Sequence, residues 1–185
     1  MVSQFVSPDK VNLLHKIDFN FPEGTHAIGR LDKNSEGLLI LTTNKKVTKL
    51  LFESKVPHKR TYLVQVLHHM SEESLQKIRD GVSILIKGNV YWTTTPCEAD
   101  FVSKPIDLFS SPNELKDFIP HTWLRITLTE GKYHQVRKMV LATRHKCMRL
   151  IRIMIENIEL GDLPPNKVKE LDEITFFTLL GIQYE

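Results

Sequence analysis

Cysteine is scarce in this chain of 185 residues: there are two, Cys97 and Cys147, far apart and lacking the Cys-x-x-Cys or flanking His spacing of a zinc site. Neither a disulfide framework nor a metal is therefore expected to hold the fold, no cofactor-binding motif is present, and a reducing, cytoplasmic setting is the simplest expectation. No apolar run approaches the roughly 18 to 20 residues that span a bilayer, so no membrane partner is expected. The opening Met1-Val2-Ser3-Gln4-Phe5 lacks the charged-then-apolar layout of a secretion signal. Internal repeats and low-complexity tracts are missing too, which excludes solenoid and linker architectures. Charge of one sign is also lacking: 25 Lys plus Arg against 22 Asp plus Glu leave +3, too mild by itself to indicate a nucleic-acid partner.

What is present is an ordinary globular composition, 41% hydrophobic and 25% charged, enough for one domain or two small lobes with a sizeable buried core. The charge is unevenly placed. Lys132, Arg137, Lys138, Arg144, Lys146, Arg149 and Arg152 follow one another with no acid among them, and the acids gather afterwards from Glu156 onward. Short β-branched and aromatic runs bounded by Gly, Pro and Asn predict strands over 26–30, 38–42, 61–67, 82–86, 90–95, 123–129 and 148–155. Helices are predicted over 45–52, 71–80 and 134–145. The second has Ser71 as N-cap, Glu72 and Glu73 in its first turn, and Gly81 as its stop. In the third, Val136, Met139, Val140 and Thr143 share a packing face while Arg137, Lys138 and Arg144 point elsewhere. The proline-containing stretch 96–120 reads as an irregular connection and a lobe boundary, with a helical turn over 114–118.

The stretch that can carry chemistry is Gly29-Arg30-Leu31-Asp32-Lys33-Asn34-Ser35-Glu36-Gly37, a loop between strands with a glycine at each end. A carboxylate at a strand end projects rigidly into a cleft, and glycine allows close backbone approach; the plain alternative is a surface turn whose polar side chains satisfy local donors.

This loop resembles the catalytic signature of the RsuA-type pseudouridine synthases, which isomerise uridine in bacterial ribosomal RNA. Arg60-Thr61-Tyr62-Leu63-Val64-Gln65-Val66 resembles the second motif of that family. The block from Ile119 through Gly131-Lys132-Tyr133-His134-Gln135-Val136-Arg137-Lys138-Met139 resembles the third, closest to the RluE branch. The likeness covers nearly the whole chain. It departs in having Arg60 where Lys is usual, in Glu156 and Asn166 where glycines are usual, in an apparently missing first strand, and in lacking the small S4 RNA-binding domain.

The resemblance implies a single α+β catalytic domain over 1–185, with a mixed, largely antiparallel sheet in two lobes and the active cleft between them. It implies Asp32 as central catalyst, Tyr62 against the reacting uracil, and Arg137 as the cation that keeps Asp32 ionised. Arg30, Lys132, Lys138, Arg144 and Arg149 are expected to contact RNA, with Arg30 filling the place of a flipped base or clamping a phosphate. The implied substrate is ribosomal RNA of the large subunit, worked on by a monomer without cofactor or metal. A transfer-RNA substrate, or a non-catalytic RNA-binding assembly factor on the same fold, stays open. Trp92 and Trp123 read as anchors rather than base platforms, and His134 as an ordinary helix-start residue.

Overall fold

The structure is a computed structural model that describes residues 1–52 and 57–183. After an N-terminal segment containing one 3-10 turn, Leu14–Lys16, the chain forms β1 (His26–Ile28), β2 (Glu36–Gly37), β3 (Ile40–Thr42) and α1 (Lys46–Phe52). There follow β4 (Arg60–Leu67), α2 (Glu72–Asp80), β5 (Ser83–Leu85), β6 (Tyr91–Thr93), β7 (Glu98–Val102) and β8 (His121–Leu128). The last elements are α3 (Gln135–Ala142), β9 (Cys147–Ile155), β10 (Ile158–Glu159) and α4 (Glu173–Leu180).

The main sheet runs β10-β9-β4-β8-β7 with every neighbouring pair antiparallel. One short strand breaks that pattern: β2 pairs parallel to β9, Glu36 opposite Ile151 and Gly37 opposite Arg152. The sheet is thus mixed and largely antiparallel, as the family resemblance implies. β4 lies at its centre and is apolar on both faces because both are covered. Val64 and Val66 pack with Leu124, Ile126 and Leu150 against Leu75 and Ile78 of α2 and Val136, Met139 and Val140 of α3. On the other face Leu63, Trp123 and Ile151 form a smaller cluster. Each such fully buried Leu, Ile or Val side chain stabilises the fold by about 1.5–3 kcal/mol relative to exposure.

A third apolar cluster builds a second lobe from Ile28, Leu38, Ile40, Val47, Ile155, Ile158 and Phe177, contributed by β1, β3, α1, β10, α4 and the end of β9. The stretch 96–120, where the sequence suggests a lobe boundary, lies on the long sheet. Within that stretch β7 is an edge strand of the sheet, with Ala99 buried, and the remainder covers the second sheet face through Leu108 and Leu115. The side chain of Gln65 clasps Leu115 by both its ends, accepting from the backbone N–H at 2.8 Å and donating to the carbonyl at 3.2 Å. The region 114–118 forms turns rather than a helical turn of its own.

Local signals explain the well-defined helices. Ser71 accepts from the Ser74 N–H, acids fill the first turn of α2, and Gly81 ends it at φ 104°. Asp172 caps α4 by accepting from the Thr175 N–H at 2.9 Å, and Gly181 closes it in the left-handed region. Asn166 also takes a left-handed φ of 62°, and so does Glu156 at 47°. Glu156 is held there by its own carboxylate, which accepts from the Lys59 N–H at 2.6 Å and lies 3.0 Å from the His58 ring.

Candidate active site

The Asp32 loop is fastened at both ends by backbone geometry. Gly37 adopts φ 101°, and its missing Cβ lets β2 lie directly on the Arg152 backbone, with the Leu38 N–H donating to the Arg152 carbonyl at 2.8 Å. A turn closes the loop through the Ser35 N–H donating to the Asp32 carbonyl at 2.8 Å. At the entry, the Ser3 hydroxyl accepts from the Leu31 N–H at 2.9 Å and donates to its carbonyl at 3.3 Å. Asp32 is left partly exposed at the joint between the two lobes. Beside it opens a groove of about 1090 Å³ lined by Asp32, Asn34, Glu36, Phe109, Leu160 and Phe177.

Beneath the loop, β4 and β9 bring Tyr62 and Arg152 opposite one another. Arg152 is buried, its Nε donates to the Leu38 carbonyl at 2.8 Å, and its Nη2 finds no partner among the described residues. Burial pulls its guanidinium below the usual arginine range, and the Tyr62 hydroxyl and, more weakly, the Asp32 carboxylate act in the opposite sense. Cys147 lies in the same region: burial pushes its thiol up from 9.0 to about 11, opposed by Arg137 and reinforced by Asp32. Tyr62, Arg152, Cys147, Arg137 and Asp32 therefore share one electrostatic neighbourhood. Arg152 was not singled out from the sequence, because a basic run gives no sign of which member turns inward.

The third-motif helix supplies the wall. Val136, Met139, Val140 and Thr143 are buried, as the spacing predicts, and Gln135 joins them. Arg137 reaches the Asp32 loop but not its carboxylate: Nη2 donates to the Asn34 carbonyl at 2.6 Å and to Ser35 Oγ at 3.3 Å, and Nη1 lies 3.6 Å from Cys147 Sγ. The cation expected on Asp32 thus grips the neighbouring backbone instead. Among the described residues, the basic side chain that meets the Asp32 carboxylate is His134, with Nε2 3.5 Å from Oδ1.

The basic residues expected on RNA divide. Arg30 is exposed and lies beside the Gln4 amide. Lys132 places Nζ 3.9 Å from the Trp92 ring centre, and Lys138 places its own 5.2 Å from that of Tyr133. Trp92 also donates to Glu130, so it ties the β5–β6 hairpin to the loop before α3. Arg144 is exposed, but α3 stops at Ala142, and Arg144 sits past its end at φ 66° rather than on its outer face. Arg149 does not reach the surface. It is 2% exposed, it bonds bidentately to Glu36 at 3.2 and 3.0 Å, pairs with Glu114, and donates to the Phe109 carbonyl. A strand position facing the covered side of the sheet forces this: the charge is neutralised by the Glu36 and Glu114 carboxylates and cannot meet a phosphate.

Comparison with known proteins places this arrangement. The sequence matches the RNA pseudouridylate synthase family over residues 6–142. It is 35% identical over 171 residues to ribosomal large subunit pseudouridine synthase E of Vibrio parahaemolyticus, covering 92% of this chain and 69% of that one. It is 32% identical over 167 residues to the protein of the same name from Xanthomonas axonopodis pv. citri, covering 89% of this chain and 85% of that one. A crystal structure of a pseudouridylate synthase superposes with a TM-score of 0.73 at 25% identity, over 96% of this chain and 68% of the other. With sequence and fold in agreement, the chain belongs to the RNA pseudouridylate synthase family and is an RNA pseudouridine synthase, an isomerase.

Proposed function

We propose that this enzyme isomerises a uridine of large-subunit ribosomal RNA, with Asp32 as the central catalyst. The observation that carries the catalytic part is the placement of one carboxylate at the joint of the two lobes. It faces open space, pairs with His134 and stands above the Tyr62–Arg152 pair. The substrate assignment rests on the relatives from Vibrio parahaemolyticus and Xanthomonas axonopodis pv. citri, which are named for the ribosomal large subunit.

The reaction breaks the bond from ribose C1′ to uracil N1, turns the base and joins C1′ to C5; the hydrogen on C5 is lost and N1 gains one, so atoms balance without a redox partner. Two routes are open to Asp32. Its carboxylate can attack C1′ and depart when C5 bonds there, or it can take the C2′ proton to give a glycal and return it afterwards. Both need the uridine outside its stack, where the Tyr62 ring can lie against the base. Both also need the carboxylate fixed, which the Arg137 bonds to Asn34 and Ser35 provide from behind. The exposed cations Arg30, Lys132, Lys138 and Arg144 are suited to phosphate contacts that hold RNA without reading its sequence.

Mapping pseudouridines in total RNA from cells with and without the gene tests the substrate. The proposal expects one modification to vanish from large-subunit ribosomal RNA. Loss confined to transfer RNA or to the small subunit contradicts it.

A further inference from the structure

We infer that His134 is a positioning residue for the reaction, the titratable cation that holds the Asp32 carboxylate and sets the pH range of turnover. The inference rests on the reading of Asp32 as catalyst.

Backbone geometry points first to this role. His134 precedes α3 with φ 55° and ψ 33°, a left-handed conformation that is unfavourable for a side-chain-bearing residue. Nothing about starting the helix requires His there. Its side chain makes no capping bond; instead the Gln135 N–H donates to the Lys132 carbonyl at 3.0 Å, and the Lys132 N–H in the preceding loop donates back to Gln135 Oε1 at 2.7 Å.

What the conformation does achieve is aim. The imidazole stacks on Tyr133 with ring centres 3.8 Å apart and 19° between planes, which fixes its orientation, and its edge then meets Asp32 with Nε2 3.5 Å from Oδ1. Arg137, one turn along, is engaged by Asn34 and Ser35 and leaves the carboxylate to His134. The side chains of His134 and Asp32 are 37% and 30% exposed, so the pair exchanges protons with bulk water. By element, the facing loop carries Arg30, Asp32, Lys33 and Glu36, the loop before α3 carries Glu130, Lys132 and Tyr133, α3 carries Arg137 and Lys138, β4 carries Tyr62, and β9 beneath carries Cys147 and Arg152. Of the acids, Glu36 pairs with Arg149 and Glu130 accepts from Gln135, Trp92 and the Thr95 N–H, which leaves Asp32 to meet the ring.

A histidine changes charge between about pH 5 and 8, above the ordinary carboxylate range. On the acid side of that window imidazolium attracts the carboxylate and fixes its oxygens toward the groove. On the alkaline side the attraction is gone and the carboxylate is free to turn. A partly exposed ion pair of this kind carries about a two- to fivefold effect.

Single-turnover rates at saturating enzyme, from about pH 5.5 to 8.5, together with RNA dissociation constants, test this in wild type, His134→Asn, His134→Lys and Asp32→Asn. Asparagine adopts the left-handed region readily, which preserves the fold. The expected result is a wild-type rate that falls about two- to fivefold toward high pH, a His134→Asn rate that is flat at the lower level, and a His134→Lys rate that is flat near the upper one. A His134→Asn variant that keeps the wild-type profile, or that alters only the dissociation constant, overturns the inference. So does a His134→Lys rate that stays at the lower level. If Asp32→Asn is inactive in the same experiment, those failures count against His134 alone; if Asp32→Asn turns over, the Asp32 reading has failed and the inference with it.

Discussion

Gly37 has to be glycine. Its φ of 101° is rarely open to other residues, and a Cβ there would collide with the Arg152 carbonyl oxygen and lie 2.8 Å from its amide nitrogen. Gly37→Ala is expected to lose about 1–3 kcal/mol of stability, read by urea unfolding, because the backbone of β9 cannot yield as a flexible side chain would. A loss within a few tenths of a kcal/mol would mean that β2 does not lie on β9 in this way. Cys147 gives a pH-dependent counterpart. Its thiol is held neutral up to about 11 when folded, against 9.0 for an ordinary thiol. The stability it contributes is thus complete below about pH 9 and is lost as pH rises through the folded value. Alkaline unfolding of wild type beside Cys147→Ala is expected to show the smaller loss between those pH values in the variant. Arg149 shows how far a residue type alone can mislead: nothing in the basic run separates it from Lys138, yet one is buried between two carboxylates and the other rests on an exposed tyrosine ring.

The elements most legible in the sequence were those with one clean period and distinct ends. The strand expected over 61–67 is Arg60–Leu67, and the helix expected over 71–80 is Glu72–Asp80. The run 38–42 was read as one strand, but the chain pairs Glu36 and Gly37 with β9 and then Ile40–Thr42 with β1 in a different sheet. No periodicity reports such a change of partner. β7 was missed because Glu98, Asp100 and Phe101 sit on an edge with Ala99 alone buried, and α4 because Glu-Ile-Thr-Phe-Phe-Thr-Leu-Leu is apolar around most of its circumference and shows no stripe. The His134–Asp32 approach was beyond reach for the same reason as the Arg149 network: it joins segments distant in sequence. α3 gives the prediction belonging to this scale. Arg137→Ala frees the Asn34–Ser35 backbone and is expected to lower the single-turnover rate far more than RNA affinity. Lys138→Ala is expected to weaken binding and flatten its salt dependence by about one phosphate's worth, with turnover of bound RNA intact. Indistinguishable behaviour of the two variants in rate and salt slope would show that α3 does not divide between gripping the loop and holding RNA.

At the scale of the whole molecule, the Asp32 loop belongs to neither lobe alone. β1 and β3 anchor it in the cluster around Ile28 and Phe177, and β2 joins it to the main sheet. Ser3 holds its entry, Arg137 its middle, and the Arg149–Glu36 pair its exit onto β2. A loop held by three segments at the joint of two lobes is preorganised before RNA arrives, which suits the proposed reliance of the reaction on one placed acid. The measurement that tests this most directly is the single-turnover rate of Asp32→Asn on a competent RNA, taken beside its dissociation constant. Loss of pseudouridine formation with RNA affinity nearly unchanged is the predicted result, since the substitution removes the reagent and keeps its size. A rate within about tenfold of wild type, a barrier change of only about 1.4 kcal/mol, would show that Asp32 is not the central catalyst.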